Sequence, residues 1–296
     1  MAIHSAKFYE QLAEIDDQYT KIQSMPTRVL WQKIIVETLF NLSEGSTAPW
    51  YWVLDALDES ESASEVISLI LDGMSKMRES NKKLARAIIQ NTVCAARPLR
   101  TRELQEILTP SFGRLASLEY TIRKVCPHLI KVDETTSLVQ PIHETVREFL
   151  LGNPTSEFAV DSPSAHQYLA KVCLDMWMEA AFSEPISEQT STLQNSVDMD
   201  DVHPLLRYAA MTWFEHVQTA LIDEPLEASV RQFLRTSVLF WIEAVGLLGD
   251  LSLLAMAALG LQAFAARSPL ISLSDKELIS GWSVDLRARW QSWEPE

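Results

Sequence analysis

The sequence has few cysteines, and their positions exclude the sites that cysteine usually builds. Cys94, Cys126 and Cys173 are odd in number and widely spaced. No C-x-x-C pair and no cluster of histidine with cysteine is present to indicate zinc. Each cysteine lies in an apolar context, which is typical of buried, reduced thiols. The sequence therefore predicts three core thiols in a cytoplasmic protein.

Basic charge is also scarce. The chain has 25 Lys and Arg residues against 40 Asp and Glu residues, which gives a net charge of −15. Affinity for nucleic acid depends on clustered basic side chains that displace counterions, and the longest basic grouping here is Lys82, Lys83 and Arg86. We therefore expect neither nucleic acid nor an anionic membrane as a partner.

Uninterrupted apolar runs long enough to span a membrane are lacking. The strongest candidate, residues 237–266, is interrupted by Glu243 and Asp250, and one charge at mid-bilayer costs about 2.5–3.5 kcal/mol. The run therefore predicts two packed helices that break near residues 246–249. Residues 1–19 have no basic region followed by an apolar core, so no secretory signal is expected.

The patterns that are present are mostly helical. Apolar periodicity and capping signals predict helices over residues 7–17, 27–42, 81–97, 101–108, 115–126 and 144–151, and further helices beyond residue 163. Thr101 is expected to cap the helix at 101–108, and Pro110 and Gly113 are expected to separate it from the next helix. One buried strand is predicted at 50–54, and two short strands at 128–133 and 137–143 are joined by a polar turn. Two helices followed by a hairpin are the order of a winged-helix module.

The order of these segments resembles the central part of fungal STAND-type NTPases, which are NACHT-domain relatives of immune receptors. The principal matching stretches are LWQKIIVETLF (30–40), YWVLDALDES (51–60), LARAIIQNTVCAARPLRTRELQEIL (84–108), LVQPIHETVREFLL (138–151) and HPLLRYAAMTWFEHVQ (203–218). The resemblance implies an ATP- or GTP-dependent switch in which a winged helix and a helical region clamp the nucleotide-bound core.

Three carboxylates follow the strand at 50–54, where such a switch has its Walker B acids. In a nucleotide site Asp55 would hold Mg²⁺ through water, and Asp58 or Glu59 would polarise the attacking water. The resemblance also implies that His143, between the wing and the next helix, senses the nucleotide phosphate. The alternative for the three acids is a solvated strand end, and for His143 a packing or hydrogen-bonding role.

The sequence departs from the family pattern at the element that binds phosphate. The motif G-x-x-x-x-G-K-[ST], whose backbone and lysine supply most phosphate binding, does not occur in the 296 residues. Only 49 residues precede the Walker B-like strand, and residues 60–66 pass directly to the next helix. We therefore expect a truncated relative without the P-loop and without the sensor and lid region.

The predicted fold is mainly α, with an α/β remnant of a NACHT domain followed by a winged-helix module and a helical bundle. Predicted domains are the remnant at 1–60, a helical connector and winged helix at 61–160, and the bundle at 161–296. Of the nine tryptophans, most fit core positions, while Trp282, Trp290 and Trp293 are candidates for contacts with a partner.

The predicted function is non-enzymatic regulation or scaffolding through protein contacts, with a full-length STAND paralogue as a candidate partner and no cofactor. The alternative is a nucleotide-dependent signalling switch that binds Mg-ATP or Mg-GTP, with residual NTPase activity or with a P-loop that is supplied in trans or lost from the gene model. A gene product without a selected function is a third reading of the same sequence.

Overall fold

A computed structural model describes residues 26–30, 63–179, 203–268 and 273–291. Helices dominate the described chain: α1 Thr27–Leu30, α2 Ala63–Ser75, α3 Glu79–Cys94, α4 Thr101–Phe112, α5 Leu118–Val125, α6 Glu144–Gly152, α7 Ser162–Trp177, α8 Leu206–Thr219, α9 Glu224–Thr236, α10 Val238–Leu248, α11 Ser252–Arg267 and α12 Leu273–Gln291. The strands are β1 Leu99–Arg100, β2 Ile130–Val132 and β3 Leu138–Pro141. The mainly α prediction is confirmed, whereas the strand predicted at 50–54 lies outside the described residues.

The winged-helix order predicted from the sequence is present as α4, α5 and the β2–β3 hairpin. The three strands form a sheet in the order β1-β3-β2, with β1 antiparallel to β3 in the register Leu99 to Val139. The polar turn of the hairpin is closed by Asp133, whose carboxylate accepts hydrogen bonds from the amides of Thr135 and Thr136 at 2.9 Å. The hydroxyl of Thr135 also donates to this carboxylate. This hydroxyl bond is the main cause that lowers the pKa of Asp133 to about 2, and the two amide bonds add to it.

The ends of α4 differ from the sequence prediction. Thr101 was expected to cap the helix, but it is the first helical residue, and Arg100 lies at the N-cap with its amide donating to Glu103 at 2.7 Å. Pro110 and Gly113 were expected to separate this helix from the next, and the structure places Pro110 inside the helix and its end at Gly113. Gly113 has a φ of 69°, a conformation that glycine adopts without a steric cost.

The chain divides into two compact units. The first comprises residues 1–89, 120–131 and 141–159. Its described core consists of apolar side chains from α2, α3, α5, α6 and the segments that follow α5 and α6, including Ile67, Leu71, Ile88, Ile89, Ile122, Leu129, Val146, Leu150 and Phe158. Cys126 is buried there.

The second unit comprises residues 90–119, 132–140 and 160–296. Its core is a cluster of aromatic rings on α8, α9 and α10, in which Trp213 meets Phe233 at 4.9 Å and Trp241 at 5.4 Å between ring centroids. The indole of Trp241 donates to the carbonyl of Ala210 at 2.9 Å. Helices α8 and α11 approach closely because Gly260 has no side chain: a Cβ there would lie 2.9 Å from the Phe214 carbonyl oxygen.

The apolar run at 237–266 folds as the predicted pair of helices, α10 and α11. Helix α10 ends at Gly249, whose φ of 73° places it in the left-handed conformation that commonly ends helices. Asp250 then accepts a hydrogen bond at 3.2 Å from the amide of Ser252, the first residue of α11. Among the described residues, no helix is both long enough and apolar enough to cross a membrane.

Candidate functional site

The predicted acid cluster, Asp55, Asp58 and Glu59, lies outside the described residues, so its geometry is not part of the structure. Across the described ranges, no group of three or more His, Cys, Asp or Glu side chains is placed to hold a metal ion. The magnesium role of Asp55 and the catalytic roles of Asp58 and Glu59 stay predictions.

His143 lies at the N-cap of α6, directly after the wing. Its Nδ1 accepts a hydrogen bond from the amide of Thr145 at 3.2 Å and lies 3.0 Å from the Thr145 hydroxyl. The first amides of a helix lack partners within the helix, so a side chain that accepts from one of them stabilises the helix start. The structure therefore shows His143 as a capping residue, while its predicted role towards a phosphate stays a prediction.

A largely buried polar cluster in the second unit joins α7 to α8. The hydroxyl of Tyr208 lies 2.8 Å from Nε2 of His216, and Nδ1 of His216 lies 2.8 Å from Nδ1 of His166. The amide of Ala96 donates to the same hydroxyl at 3.3 Å. With neutral rings, one consistent assignment has Tyr208 donating to His216 and His216 donating to His166.

An ion pair adjoins this cluster at the start of α4. The guanidinium of Arg97 donates to both carboxylate oxygens of Glu103, at 2.6 and 2.9 Å, and lies over the Tyr208 ring at 5.0 Å from its centroid. Glu103 is only 1% exposed, and a buried carboxylate requires such pairing because its desolvation is costly. Arg97, Glu103 and Tyr208 therefore form one polar assembly with the two histidines.

Burial sets the electrostatics of this assembly. It lowers the pKa of His216 to about 3, with the charge of His166 as the second cause. Burial also raises the pKa of the Tyr208 hydroxyl and of the Cys173 thiol nearby. A neutral imidazole, phenol and thiol are hydrogen-bonding groups here rather than nucleophiles, so the assembly ties helices together.

All three cysteines are buried thiols outside any disulfide, as predicted. Burial raises the pKa of Cys126 as it does that of Cys173. The thiolate is the reactive form of cysteine, so these two thiols are unsuited to nucleophilic chemistry.

A cleft of about 260 Å³ lies in the first unit between α2 and the segment that follows α6. Leu71 and Phe158 contribute apolar surface, and Asp72 and Glu157 contribute carboxylates. Both carboxylates are already engaged, Asp72 with Lys76 at 3.2 Å and Glu157 with Lys82 at 2.8 Å. The cleft is therefore a surface depression whose acids are satisfied by the protein itself.

The surface of α10 and α11 carries large apolar side chains in contact with solvent. Leu239 is 64% exposed, Leu247 51%, Met256 42% and Leu259 56%. We call the exposed apolar side chains Leu239 and Leu247 of α10 and Met256 and Leu259 of α11 the hairpin face. Trp282 on α12, one of three predicted contact residues, is half-buried, whereas the side chains of Trp290 and Trp293 lie outside the described residues.

Sequence reasoning missed both the polar assembly and the hairpin face. His166 and His216 lie in helical stretches with many apolar residues, and a histidine in such a stretch is the signal that could have found the assembly. The hairpin face was hidden by the apolar content of α10 itself. Only the structure shows which side of that helix is covered.

Two family models match the chain, and each covers less than half of it. Residues 71–161 match the winged helix domain of GPI inositol-deacylase, which confirms the predicted winged helix. Residues 1–89 match the N-terminal region of nephrocystin 3. Both families are associated with NACHT proteins. No curated protein and no solved structure matches the chain.

Proposed function

We propose that the chain is a relative of STAND/NACHT signalling NTPases that acts as a non-enzymatic regulatory or scaffold protein through protein contacts. The two family matches support the relationship, because both models describe NACHT-associated regions and together they span residues 1–161. The absence of G-x-x-x-x-G-K-[ST] from the sequence supports the non-enzymatic part, because that motif supplies most phosphate binding.

The hairpin face is the observation that carries the protein-contact part of the proposal. Single exposed leucines are ordinary on protein surfaces, whereas several large apolar side chains close together mark interaction sites. Leu239 and Leu247 lie on one side of α10, and Met256 and Leu259 on one side of α11. Covering these four side chains with a partner would remove apolar surface from water and so favour association.

Calorimetric titration with Mg-ATP and Mg-GTP tests the non-enzymatic part. We expect no heat of binding at millimolar nucleotide. Micromolar binding that is lost in the Asp55→Asn variant would show that a nucleotide site exists, and the alternative function, a nucleotide-dependent signalling switch, would replace the proposal. Glu134→Gln, which changes a carboxylate of the β2–β3 turn, is the matched control and should behave as the unmodified chain.

Size-exclusion chromatography with light scattering tests the protein-contact part. The chain is measured alone and mixed with a full-length STAND paralogue from the same source. We expect a complex of defined mass. A chain that stays strictly monomeric in both measurements, and that co-purifies with no protein on expression in its source organism, would refute the proposal.

A further inference from the structure

Helix α3 begins within a basic stretch of an otherwise acidic chain. Residues 76–86 carry five basic side chains and one acidic side chain. Three of the basic side chains pair with acids of the first unit at 2.8–3.2 Å, namely Lys76, Lys82 and Arg86. The other two, Arg78 and Lys83, are exposed and have no ion-pair partner among the described residues. The proposed function makes no use of this charge.

A serine lies between these two cations. Arg78 precedes Ser80 by two residues, Lys83 follows it by three, and the side chain of Ser80 is exposed. The neighbouring Glu79 is acidic, but its carboxylate is already paired with Lys82 at 3.1 Å. Protein kinases choose among serines by flanking charge, because their substrate grooves attract one sign and repel the other. Cations on both sides of Ser80 favour a basophilic kinase, whose groove is acidic.

The local fold leaves this segment open to another protein. No side chain from Arg78 to Lys83 is buried, and Leu84 is the first that is. The amides of Asn81 and Lys82 donate to the carbonyl of Arg78 at 2.9 and 3.0 Å and form the first turn of α3. A kinase holds its substrate extended, so this turn must open. Helix ends open at a low cost in free energy, and this opening uncovers no core side chain.

Ser117, in the loop before α5, shows the importance of this openness. It is exposed, and so is Arg114, three residues before it. The residue after it, Leu118, is only 7% exposed and belongs to the core. A kinase that holds residues on both sides of Ser117 must therefore move an apolar side chain into water, a cost that Ser80 does not carry. The structure favours Ser80 over Ser117 as a substrate.

We propose that Ser80 is phosphorylated by a basophilic protein kinase, with Mg-ATP as the phosphoryl donor. A bond forms between Oγ of Ser80 and the γ-phosphorus of ATP, while the bond from that phosphorus to the leaving oxygen of ADP breaks. The hydroxyl proton passes to the catalytic aspartate of the kinase. The inference goes beyond the proposed function and does not depend on it.

The phosphate changes the charge of the basic stretch. It carries about 1.5–2 negative charges at pH 7, which offset about half of the net positive charge of residues 76–86. Lys83 lies three residues after Ser80 and therefore on the same side of α3. The phosphate thus gains a cationic neighbour that has no acid partner among the described residues.

The first experiment uses the folded full chain, Mg-ATP and protein kinase C, a basophilic enzyme. Mass spectrometry of the digested chain locates the phosphate, and we expect it on Ser80. Ser80→Ala should lower the rate of phosphoryl incorporation about tenfold or more. A casein kinase, which prefers acidic surroundings, should leave Ser80 unmodified. Phosphate that is absent, or that lies on Ser117 with Ser80 unmodified, would overturn the inference.

Neutral substitutions test the flanking cations. The double variant Arg78→Gln and Lys83→Gln should lower kcat/KM of the kinase for the chain about tenfold or more. Lys124→Gln with Lys131→Gln is the matched control, because it removes the same charge at exposed positions of the first unit. This control should be phosphorylated as fast as the unmodified chain. An equal loss in both variants would show attraction by overall charge only, which contradicts recognition at Ser80.

A free peptide tests whether the folded chain exposes the site. The peptide has the sequence of residues 74–88, and circular dichroism checks that each chain variant stays folded. We expect the folded chain to react within about a hundredfold of the peptide rate, because only the first turn of α3 must open. A folded chain that reacts more slowly than this limit would show a closed site and refute the proposal.

The chain purified from its source organism gives the last test. It is isolated with phosphatase inhibitors present, and its phosphopeptides are mapped by mass spectrometry. We expect phosphate on Ser80. A chain without phosphate at this position would mean that the site is not used, whatever protein kinase C does to it.

Discussion

The two units of the chain use polar side chains in opposite ways. In the second unit, Tyr208 and His216 are buried and hydrogen-bonded to each other, and the buried Glu103 accepts hydrogen bonds from Arg97. In the first unit, Lys82 and Arg86 of α3 pair with Glu79 and with Glu157 at the surface, at distances of 2.8–3.1 Å. The difference lies in the surroundings of the pairs rather than in their lengths.

Burial decides what each arrangement contributes. A buried polar group has given up its hydration, so removal of its partner leaves the full desolvation cost uncompensated. When an exposed pair is broken, each charged group is solvated by water and screened by salt, so little free energy is lost. We therefore expect large effects from changes in the second unit and small, salt-dependent effects from changes in the first.

The largest effect is expected from Arg97→Ala. The substitution leaves the Glu103 carboxylate, which is 1% exposed, without its bidentate partner. Loss of one partner of a fully buried pair costs about 3–5 kcal/mol, and because Arg97 is partly exposed we expect about 3 kcal/mol in the free energy of unfolding, measured by urea denaturation.

A matched variant separates loss of the ion pair from loss of packing. The double variant Arg97→Met and Glu103→Met removes both charges and keeps similar volumes. It should recover most of the stability, since two apolar residues carry no desolvation cost. A double variant as unstable as Arg97→Ala would show that the charges are not what stabilises this region.

Gly260→Ala tests how much of the second unit depends on apolar packing. Its new Cβ would lie 2.9 Å from the carbonyl oxygen of Phe214, so α8 and α11 must separate. We expect a loss of about 1–3 kcal/mol, the usual cost of overpacking. Gly246→Ala in α10 is the control, because a Cβ there meets nothing within 4 Å, and it should stabilise the chain by up to about 1 kcal/mol. Thermal unfolding compares the two.

The buried histidine predicts a pH dependence of stability. The pKa of His216 is about 3 in the folded chain and about 6.5 when unfolded. The unfolded state therefore binds the additional proton between these values. The stability that neutral His216 provides is complete above about pH 6.5 and is lost as the pH falls towards 3, by at most about 1.4 kcal/mol per pH unit.

The measurement is urea denaturation at several pH values between neutral and about pH 5. His216→Gln removes this titration, so its stability should depend less steeply on pH than that of the unmodified chain. His128, whose pKa is also lowered by burial, titrates in both proteins and leaves a residual slope. Parallel pH profiles for the two proteins would contradict a buried neutral His216.

Sequence patterns predicted the parts of this structure that local physics decides. The break between α10 and α11 followed from two glycines and an interrupted apolar run, and the wing followed from two short strands around a polar turn. The exact helix starts were less accessible. Thr101 is a residue type that often caps helices, but here Arg100 is the N-cap residue. Its amide donates to the carboxylate of Glu103, which lies within the helix.

The polar assembly could not be derived from the sequence. His166 and His216 are 50 positions apart, and their contact depends on how α7 packs against α8. The hairpin face could not be derived either. Because α10 is apolar on nearly all sides, its periodicity does not indicate which side is buried. The acid cluster shows the reverse case: the sequence names Asp55, Asp58 and Glu59 clearly, and they lie outside the described residues.

The smallest effect is expected from Glu157→Gln in the first unit. Glu157 lies 2.8 Å from Lys82 and 3.0 Å from Arg86, and the hydrogen bond from Lys82 holds its pKa below the ordinary value. A carboxyl with a lowered pKa contributes stability above its unfolded pKa of about 4.3, and that contribution disappears as the pH falls through its folded pKa. The variant should therefore be slightly less stable at neutral pH and equal to the unmodified chain in acid.

Salt distinguishes this loss from a packing defect. Because the pair is exposed, high sodium chloride should abolish the difference between Glu157→Gln and the unmodified chain, whereas the Arg97→Ala loss should persist. Asp72→Asn is the matched control, because it breaks an exposed ion pair within a single helix, that of Asp72 with Lys76 four residues later. A Glu157→Gln loss that salt leaves unchanged would mean that the two units do not differ in the way their polar side chains act.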